Sequence, residues 1–300
     1  MSACMVNIYT TVNEDLIIKE SVCSPLVSIY VPTHNRPDFL IRALESLVLQ
    51  TYKNIEVLVC DDGSSSDLKY IRDSFCKKFP YFCWVESSEP RGACVSRNEL
   101  IQRATGEYIT GLDDDDEFLP NRVECFIKAP ELSQYSFLCS RNETNTGEKT
   151  FIGSRFYGSV ALDDMFNGNV VGNQIFIKTS SLRYVGGFDE SFPSWQDYDT
   201  WFRLIDTFGS AFKLKEPSYK LNIGHEMGRI TKSEKAKLGF LKFIEKHGEK
   251  LPEKSKNTLK IVDLINRNEK ISLMNTLSVL NGRSFFLICR YFLKKVYLLI

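Results

Sequence analysis

Apolar and polar positions follow two different periods over the first third of the chain. Short, almost wholly apolar runs have the length of buried strands and lie at 27–32, 55–60, 81–86 and 107–112. The intervening segments 37–50, 67–79 and 93–104 instead repeat apolar side chains with the helical period. Strands that alternate with helices of this length form βαβ units, so the pattern predicts an α/β fold with a mostly parallel sheet flanked by helices.

The alternation loosens after residue 120. The pattern predicts a surface hairpin, a strand, a helix ending at Gly209 and a strand–turn–strand unit, at 142–149, 173–178, 198–209 and 211–223. From residue 232 the pattern is helical and rich in Lys. We therefore expect three regions, which are an N-terminal arm, an α/β domain and a basic helical C-terminal appendage, at 1–24, 25–230 and 231–300.

Polar segments follow three of the predicted strands. They are PTHNR at 32–36, DDGS at 61–64 and LDDDDEFLP at 112–120. Ligands of open α/β sheets bind beyond the carboxyl ends of the strands, so we expect the functional site at this edge.

Four consecutive carboxylates, Asp113 to Asp116, follow one strand directly. Such a run is either a solvated acidic turn or a site where a hard divalent cation offsets the repulsion and also binds substrate phosphates. Its position directly after an apolar strand favours the cation. The chain has neither the GxxxxGK[ST] pattern of P-loop enzymes nor a GxGxxG pattern that opens a helix. We therefore expect a diphosphate to be held by a metal ion and by Arg side chains.

The charge is balanced overall, with 38 basic and 38 acidic side chains, which argues against a nucleic-acid binder. It is not evenly distributed, because residues 211–300 carry 19 basic and 8 acidic side chains. Within this third, the segment 284–300 is apolar with three basic residues. This pattern fits either a core helix or an interfacial helix on anionic lipid.

Nine cysteines without a CxxC pair indicate reduced thiols in a cytosol. We expect neither a signal peptide nor a membrane span.

Three segments together resemble one protein family. VSIYVPTHNRPDFLIRALESLVLQTYKNIEVLVCDDGSSSD resembles the opening of the family 2 glycosyltransferases with the GT-A fold, and RGACVSRNELIQRATGEYITGLDDDDEFLP resembles their centre. VGGFDESFPSWQDYDTWFRL resembles their acceptor-side segment, so the match covers roughly 25–230. The resemblance implies a Rossmann-like GT-A fold, a nucleotide-sugar donor, a divalent metal and inversion at the anomeric carbon.

The resemblance also implies which residues bind the donor. Thr33 matches a position against the nucleotide base, Asp62 one that accepts a hydrogen bond from uracil, and Arg97 one near the base and phosphates. His225 resembles a histidine that closes over the donor phosphates. The implied nucleotide-sugar site comprises Pro32, Thr33, Asn35, Arg36, Asp62, Arg97, Asp113, Asp114 and His225. The implied ligands of Mn²⁺ or Mg²⁺ are Asp115, Asp113 and His225.

On the acceptor side, Asp197 in WQDYD matches the general base of the family. Gln196 stands where the family has Glu, which removes one carboxylate beside the base. Trp195 is either a platform for a sugar ring or an ordinary core tryptophan. Asp199 is expected to cap the following helix, and its replacement by Asn is expected to cost about 1 kcal/mol or less.

The expected activity is inverting transfer of a hexose, such as glucose or galactose, from a UDP-sugar. The expected acceptor is a polyprenyl-diphosphate-linked sugar in surface polysaccharide assembly. The expected location is the cytoplasm, peripheral to the inner face of a bacterial plasma membrane, with an anionic membrane surface as partner and no nucleic acid. A nucleotidyltransferase and a non-catalytic nucleotide-sugar or glycan-binding domain are the alternatives.

Overall fold

A computed structural model describes residues 5–16, 24–223, 234–267 and 269. The strands are β1 (Val6–Val12), β2 (Val27–Thr33), β3 (Ile55–Asp62), β4 (Tyr81–Ser87), β5 (Tyr108–Gly111), β6 (Glu117–Phe118), β7 (Leu138–Asn145), β8 (Thr150–Ile152), β9 (Gly158–Val160), β10 (Phe176–Lys178) and β11 (Ala211–Asn222). The helices are α1 (Pro37–Val48), α2 (Lys69–Phe75), α3 (Ala93–Arg103), α4 (Arg122–Lys128), α5 (Thr179–Tyr184), α6 (Gln196–Phe208), α7 (Glu234–His247) and α8 (Glu253–Asn266).

One sheet with the strand order β1-β4-β3-β2-β5-β10-β7-β11-β6 runs through the molecule, with β8 paired to β7 and β9 paired to β11. Its centre, β4-β3-β2-β5, is parallel and is connected through α1, α2 and α3. This confirms the predicted Rossmann-like α/β core with flanking helices. Antiparallel strands extend the parallel centre on both sides, at β1 and at β10.

Apolar side chains cover both faces of the central strands. Along β2, Ile29 and Val31 point to the face covered by α1, whereas Tyr30 points to the face covered by α3. The hydrophobic core on the α3 face of the sheet also contains Phe243 of α7 and Leu259 of α8, both fully buried. The described part of the C-terminal helical region therefore packs against the sheet domain.

The N-terminal arm is partly an edge strand of the sheet. Val6–Val12 forms β1 and pairs antiparallel with all of β4. Most of its side chains are exposed, which explains why the sequence shows no strong apolar period there.

Residues 211–222 form one continuous strand, and the predicted strand–turn–strand unit was wrong. β11 pairs in parallel with β7, and the register shifts on either side of Pro217. Proline lacks a backbone N–H for the ladder, so the pairing is irregular there without turning the chain.

Among the described residues, no helix is long and apolar enough to cross a bilayer. His225 and the segment 284–300 lie outside the described residues.

Candidate active site

The acidic run lies in the loop between β5 and β6, at the carboxyl edge of the parallel strands. Asp113 Oδ1 accepts hydrogen bonds from Arg97 Nη2 at 2.9 Å and from Gln174 Nε2 at 3.1 Å. Arg97 lies on α3 and Gln174 precedes β10, so this carboxylate joins three elements. Gln174 also accepts a hydrogen bond from Tyr30 on β2, at 2.9 Å.

Arg36 and Thr33 bind the middle of the run. Arg36 Nη1 lies 3.1 Å from Asp114 Oδ1 and 3.3 Å from Asp115 Oδ2. Thr33 Oγ1 donates to Asp114 Oδ2 at 2.8 Å, and Pro32 is buried in β2 just before it. Burial raises the pKa of Asp114 to about 6, although Arg36 and Thr33 act in the opposite direction. Two residues expected on the donor therefore contact the acidic loop directly.

Asp116 has a buried side chain that holds the acidic loop against β11. It accepts hydrogen bonds from Tyr219 Oη at 2.9 Å and from the backbone N–H of Asn222 at 2.8 Å, both on β11. Burial, together with Asp113 and Asp115, raises its pKa well above the ordinary value.

The protein itself offsets part of the repulsion within the acidic run. Arg36, Arg97 and the hydrogen bonds of β11 contribute to this, while repulsion from Asp113 and Asp115 still raises the pKa of Asp116. In the part of the chain that the structure describes, no group of three His, Cys, Asp or Glu side chains could hold a metal by itself. Metal binding at Asp113 and Asp115 stays a prediction, and any such site needs further ligands from the substrate.

The turn after β3 is held next to the turn after β2. Asp62 accepts hydrogen bonds from the backbone N–H groups of Arg91 at 2.9 Å and Gly92 at 2.8 Å, at the start of α3. Asn35, with φ of 54°, donates its backbone N–H to Ser64 Oγ at 2.8 Å. Gly63, with φ of 68°, is required because a Cβ there would lie 2.5 Å from the backbone of Glu89. Hydrogen bonds thus hold the two turns together beside the acidic loop.

Asp197 lies in the first turn of α6 and faces the same region from the other side. Burial, followed by repulsion from Asp113, raises the pKa of Asp197 to about 7, and Arg97 partly opposes this. Within the described residues, Asp197 Oδ1 is buried and has no hydrogen-bond partner. Arg97 is also buried, and its Nε and Nη1 have none there. One guanidinium therefore acts electrostatically on both Asp113 and Asp197.

A cavity of about 260 Å³ opens beside Asp197. Gln196 and Trp195 line it, and Trp195 has a left-handed backbone with φ of 64°. The Trp195 ring also packs against Phe240 and Phe243 of α7, with ring centroids 5.6 and 5.7 Å apart. Trp195 is thus both a cavity wall and a partner of the core.

Asp199 does not cap α6, so that prediction was wrong. Its side chain is fully buried and lies 2.9 Å from Arg203 Nε, 2.9 Å from Lys246 Nζ and 2.8 Å from His247 Nε2. Burial alone would raise the pKa of Asp199, but these three partners hold it below the ordinary value. Asp199 therefore joins α6 to α7 within the interior.

The sequence reasoning missed the residues that support this site from a distance. Gln174, Tyr219 and His247 carry no local motif, and their partners lie 61, 103 and 48 residues away in sequence. A polar residue inside a predicted strand, as at Gln174 in the segment 173–178, is the one signal that was available.

The comparison with protein families identifies the chain. The sequence profile described as Glycosyl transferase family 2 matches residues 28–184. The chain belongs to this family. A relative from Escherichia coli K12 named as a glycosyl transferase of colanic acid biosynthesis, WcaA, is 32% identical over 87% of this chain and 96% of its own length. An uncharacterized glycosyltransferase of Rickettsia bellii is 34% identical over 63% of this chain, which spans 29% of that relative.

A solved structure has the same fold. S. aureus TarS 1-349, in complex with UDP-GlcNAc, superposes with a TM-score of 0.62 at 18% identity, over 84% of this chain and 78% of TarS. The GT-A-type fold predicted from the sequence is thereby confirmed. The family model ends before α6, so Asp197 and the cavity beside it lie outside the matched segment.

Proposed function

We propose that this family 2 member is an inverting transferase that moves a hexose, such as glucose or galactose, from a UDP-sugar to a sugar hydroxyl. The observation that carries the proposal is Asp197, a buried carboxylate with an unpartnered oxygen among the described residues, whose pKa burial raises to about 7. A group that titrates near neutral pH and has a free acceptor atom is suited to take a proton from a hydroxyl.

On the donor side, Arg36 and Arg97 lie where a diphosphate would meet the acidic loop. The fit to a divalent metal rests on the donor set, because Mg²⁺ is typically bound by one or two carboxylates together with substrate phosphates. Asp115 and Asp113 are two such carboxylates, with 24% and 19% of their side chains exposed, and they would hold it. A bound Mn²⁺ or Mg²⁺ would stabilise the negative charge of the departing diphosphate.

Transfer with inversion needs the base opposite the leaving group. The acceptor oxygen forms a bond to the anomeric carbon while the bond from that carbon to the UDP oxygen breaks. The hydroxyl proton passes to the Asp197 carboxylate as the new bond forms. Burial disfavours the charged carboxylate, whereas Arg97 favours it, and the net result is a pKa of Asp197 raised to about 7.

The comparisons support the donor and the pathway class in this proposal. TarS, which shares the fold, is described in complex with UDP-GlcNAc, and WcaA is named for colanic acid biosynthesis. We therefore propose a polysaccharide-assembly role with a polyprenyl-diphosphate-linked sugar as acceptor. Cytoplasmic location at an anionic membrane surface is part of the same proposal, in line with the 19 basic side chains of 211–300.

The test is UDP release from a panel of UDP-hexoses, measured with Mn²⁺, with Mg²⁺ and in excess EDTA. We expect turnover of at least one donor, loss of turnover in EDTA, and loss in Asp115→Ala but not in Asp73→Ala, which removes an exposed carboxylate of α2. Full turnover in excess EDTA would contradict the proposed requirement for a divalent metal ion. Donor binding without UDP release would instead support a binding domain, and formation of a nucleotide-sugar from a nucleoside triphosphate would support a nucleotidyltransferase.

A further inference from the structure

One end of the sheet is a long strand whose outer edge pairs with no described strand. β1 has seven residues and lies at the end of the strand order, where β4 is its neighbour. Among the described strands, the others that pair on one side only are much shorter, since β6 has two residues and β8 and β9 have three each. Short edges offer little to a further strand, whereas β1 offers a full-length template.

The backbone groups of alternate residues of β1 point away from β4. At one end of the ladder, Ser88 donates its backbone N–H to the Met5 backbone oxygen at 2.9 Å. At the other end, Asn13 donates its backbone N–H to the Pro80 backbone oxygen at 2.8 Å. Hydrogen-bonded pairs alternate along an antiparallel ladder, so the odd-numbered residues of β1 bind β4. The N–H and C=O groups of the even-numbered residues therefore point outward, at Val6, Ile8, Thr10 and Val12.

The strand β1 lacks the features that usually protect a free edge. Its sequence, VNIYTTV, contains no charged residue and no proline, and its register with β4 runs without a bulge. The side chains of Ile8, Tyr9 and Val12 are exposed, although residues of these types favour strands. Charges, prolines and bulges are the means by which proteins prevent the addition of a further strand. The edge of β1 is therefore open to such an addition.

A second copy of β1 fits this edge in one antiparallel register. A two-fold axis at Tyr9 places Val6 opposite Val12 of the second copy, and Ile8 opposite Thr10 of the second copy. This register pairs all four outward-facing residues of each strand with those of the other, whereas a shifted register leaves some of them unpaired. Because β1 is uncharged, its pairing with itself brings no like charges together across the ladder.

We propose that the chain forms a symmetric dimer through β1, in which two copies join their sheets edge to edge. The two-fold axis of an antiparallel pair is perpendicular to the sheet, so the α3 face of one copy continues as the α3 face of the other. The helices α7 and α8 pack on this face, and those of both copies therefore lie on the same side of the joined sheet. The dimer goes beyond the proposed function and does not depend on it.

The first experiment measures the mass of the full chain by sedimentation equilibrium, from about 1 to 100 µM. Thr10→Pro removes an outward N–H from each copy but none that binds β4, and Thr10→Val keeps this N–H and serves as the matched control. We expect dimers of the unmodified chain and of Thr10→Val. The association of Thr10→Pro should be weaker by about tenfold or more, since each copy loses a hydrogen bond across the axis.

A second experiment tests the register by disulfide cross-linking under mild oxidation. Directly opposite Cβ atoms of a non-hydrogen-bonded pair lie about 4.5–5.5 Å apart, so Tyr9→Cys on the axis should link the two copies. Asn7→Cys is exposed on the same face of β1, but it is displaced from its own copy by about 14 Å along the strand and should not cross-link. The unmodified chain gives the background from its native cysteines.

Three results would overturn the inference. They are a monomer at every concentration, a folded Thr10→Pro that dimerises as strongly as the unmodified chain, and cross-linking of Tyr9→Cys that does not exceed that of Asn7→Cys. If Thr10→Pro does not fold, as judged by its thermal transition, the cross-linking pair decides between a dimer through β1 and a dimer through another surface.

Discussion

The environment of Asp197 decides its chemistry more than its position in α6 does. A carboxylate in the first turn of a helix is favoured in its charged form by the helix dipole. Burial opposes this and prevails, so the pKa of Asp197 rises to about 7. Asp114 is similarly buried and raised to about 6, but Arg36 and Thr33 already occupy its oxygens. Asp197 Oδ1 has no such partner among the described residues, so its carboxylate is not committed to the protein in the way that Asp114 is.

Replacing Asp197 by Asn should lower kcat by about a hundredfold or more, because the amide keeps the shape but cannot take a proton. The affinity for UDP should change little, since the diphosphate is assigned to Arg36 and Arg97. Steady-state kinetics and UDP titration measure the two quantities. Asp206→Asn, an exposed acid on the same helix, is the matched control and should keep the unmodified kcat. Near-normal turnover of Asp197→Asn would contradict the assignment of the base.

The pH dependence of kcat/KM should follow the titration of Asp197. A raised pKa means that the base is protonated and inactive below about pH 7, so activity should rise as pH increases through this value. An ordinary, exposed Asp titrates near 3.9 and would give a flat profile in this range. The measurement is kcat/KM from pH 5 to 9, and a profile that is flat from pH 5 upward would contradict the raised pKa.

The buried carboxylate of Asp199 on α6 forms ion pairs with two residues of α7. Asp199→Asn should destabilise the fold by about 3 kcal/mol, because it leaves Arg203 and His247 next to a neutral group in the interior. Lys246 is partly exposed and keeps its ion pair with Asp189. The expected loss is larger than the capping role implied. Arg203 also donates to the backbone oxygens of Val185 and Gly187, which moderates the loss.

The matched control is again Asp206→Asn, since Asp206 also pairs with a C-terminal lysine, Lys250, but at the surface. Its cost should stay below about 1 kcal/mol. Denaturant unfolding of both variants gives the comparison. Equal, small losses would mean that the Asp199 pairs contribute nothing beyond a surface ion pair.

Gly239 in α7 provides a test of the close contact with Ser194. In an exposed helix, replacing Gly by Ala stabilises by about 1 kcal/mol. Here the added Cβ would lie 2.5 Å from Ser194 O, so Gly239→Ala should instead destabilise and should also lower kcat by moving the turn before Asp197. Gly248→Ala, whose Cβ would meet its nearest neighbour at 3.6 Å, should be tolerated. Thermal unfolding and kcat are measured for both, and a stabilised, fully active Gly239→Ala would contradict the contact.

The accuracy of the sequence-based predictions depended on how local the cause of each feature was. The strands β2, β3 and β4 are apolar runs with turn signals at their ends, so their positions followed from the pattern alone. β1 was not predicted as a strand because most of its side chains are exposed, and its cause is the ladder with β4. The role of Asp199 depends on Lys246 and His247, which only the folded chain brings near. Likewise, the sequence did not indicate that Arg36 and Arg97 form ion pairs with the acidic run.

Over the molecule, the helices α7 and α8 of the C-terminal region pack against the sheet domain. Phe243 and Leu259 are fully buried in the same core as Tyr30 and Trp201. Asp199, Ser194 and the cavity beside Asp197 all receive contacts from α7 or α8. The C-terminal helices α7 and α8 are therefore part of the same unit as the candidate site.

Two truncations should distinguish these parts of the chain. Ending the chain at residue 233 removes buried Phe243 and Leu259, each worth about 1.5–3 kcal/mol of burial, along with the partners of Asp199, so this variant should not fold. Ending it at 283 leaves α7 and α8 in place, so the thermal transition and UDP affinity should persist.

The chain that ends at 283 lacks the apolar and basic segment 284–300, so its binding to anionic vesicles should be lost. High salt should weaken vesicle binding of the full chain, because salt screens the attraction between basic side chains and anionic lipid. Vesicle co-sedimentation and thermal unfolding make the comparison. Unchanged vesicle binding of the 1–283 chain would assign membrane affinity elsewhere, whereas precipitation of 1–283 with no vesicle binding by the full chain would mean that the segment packs in the core.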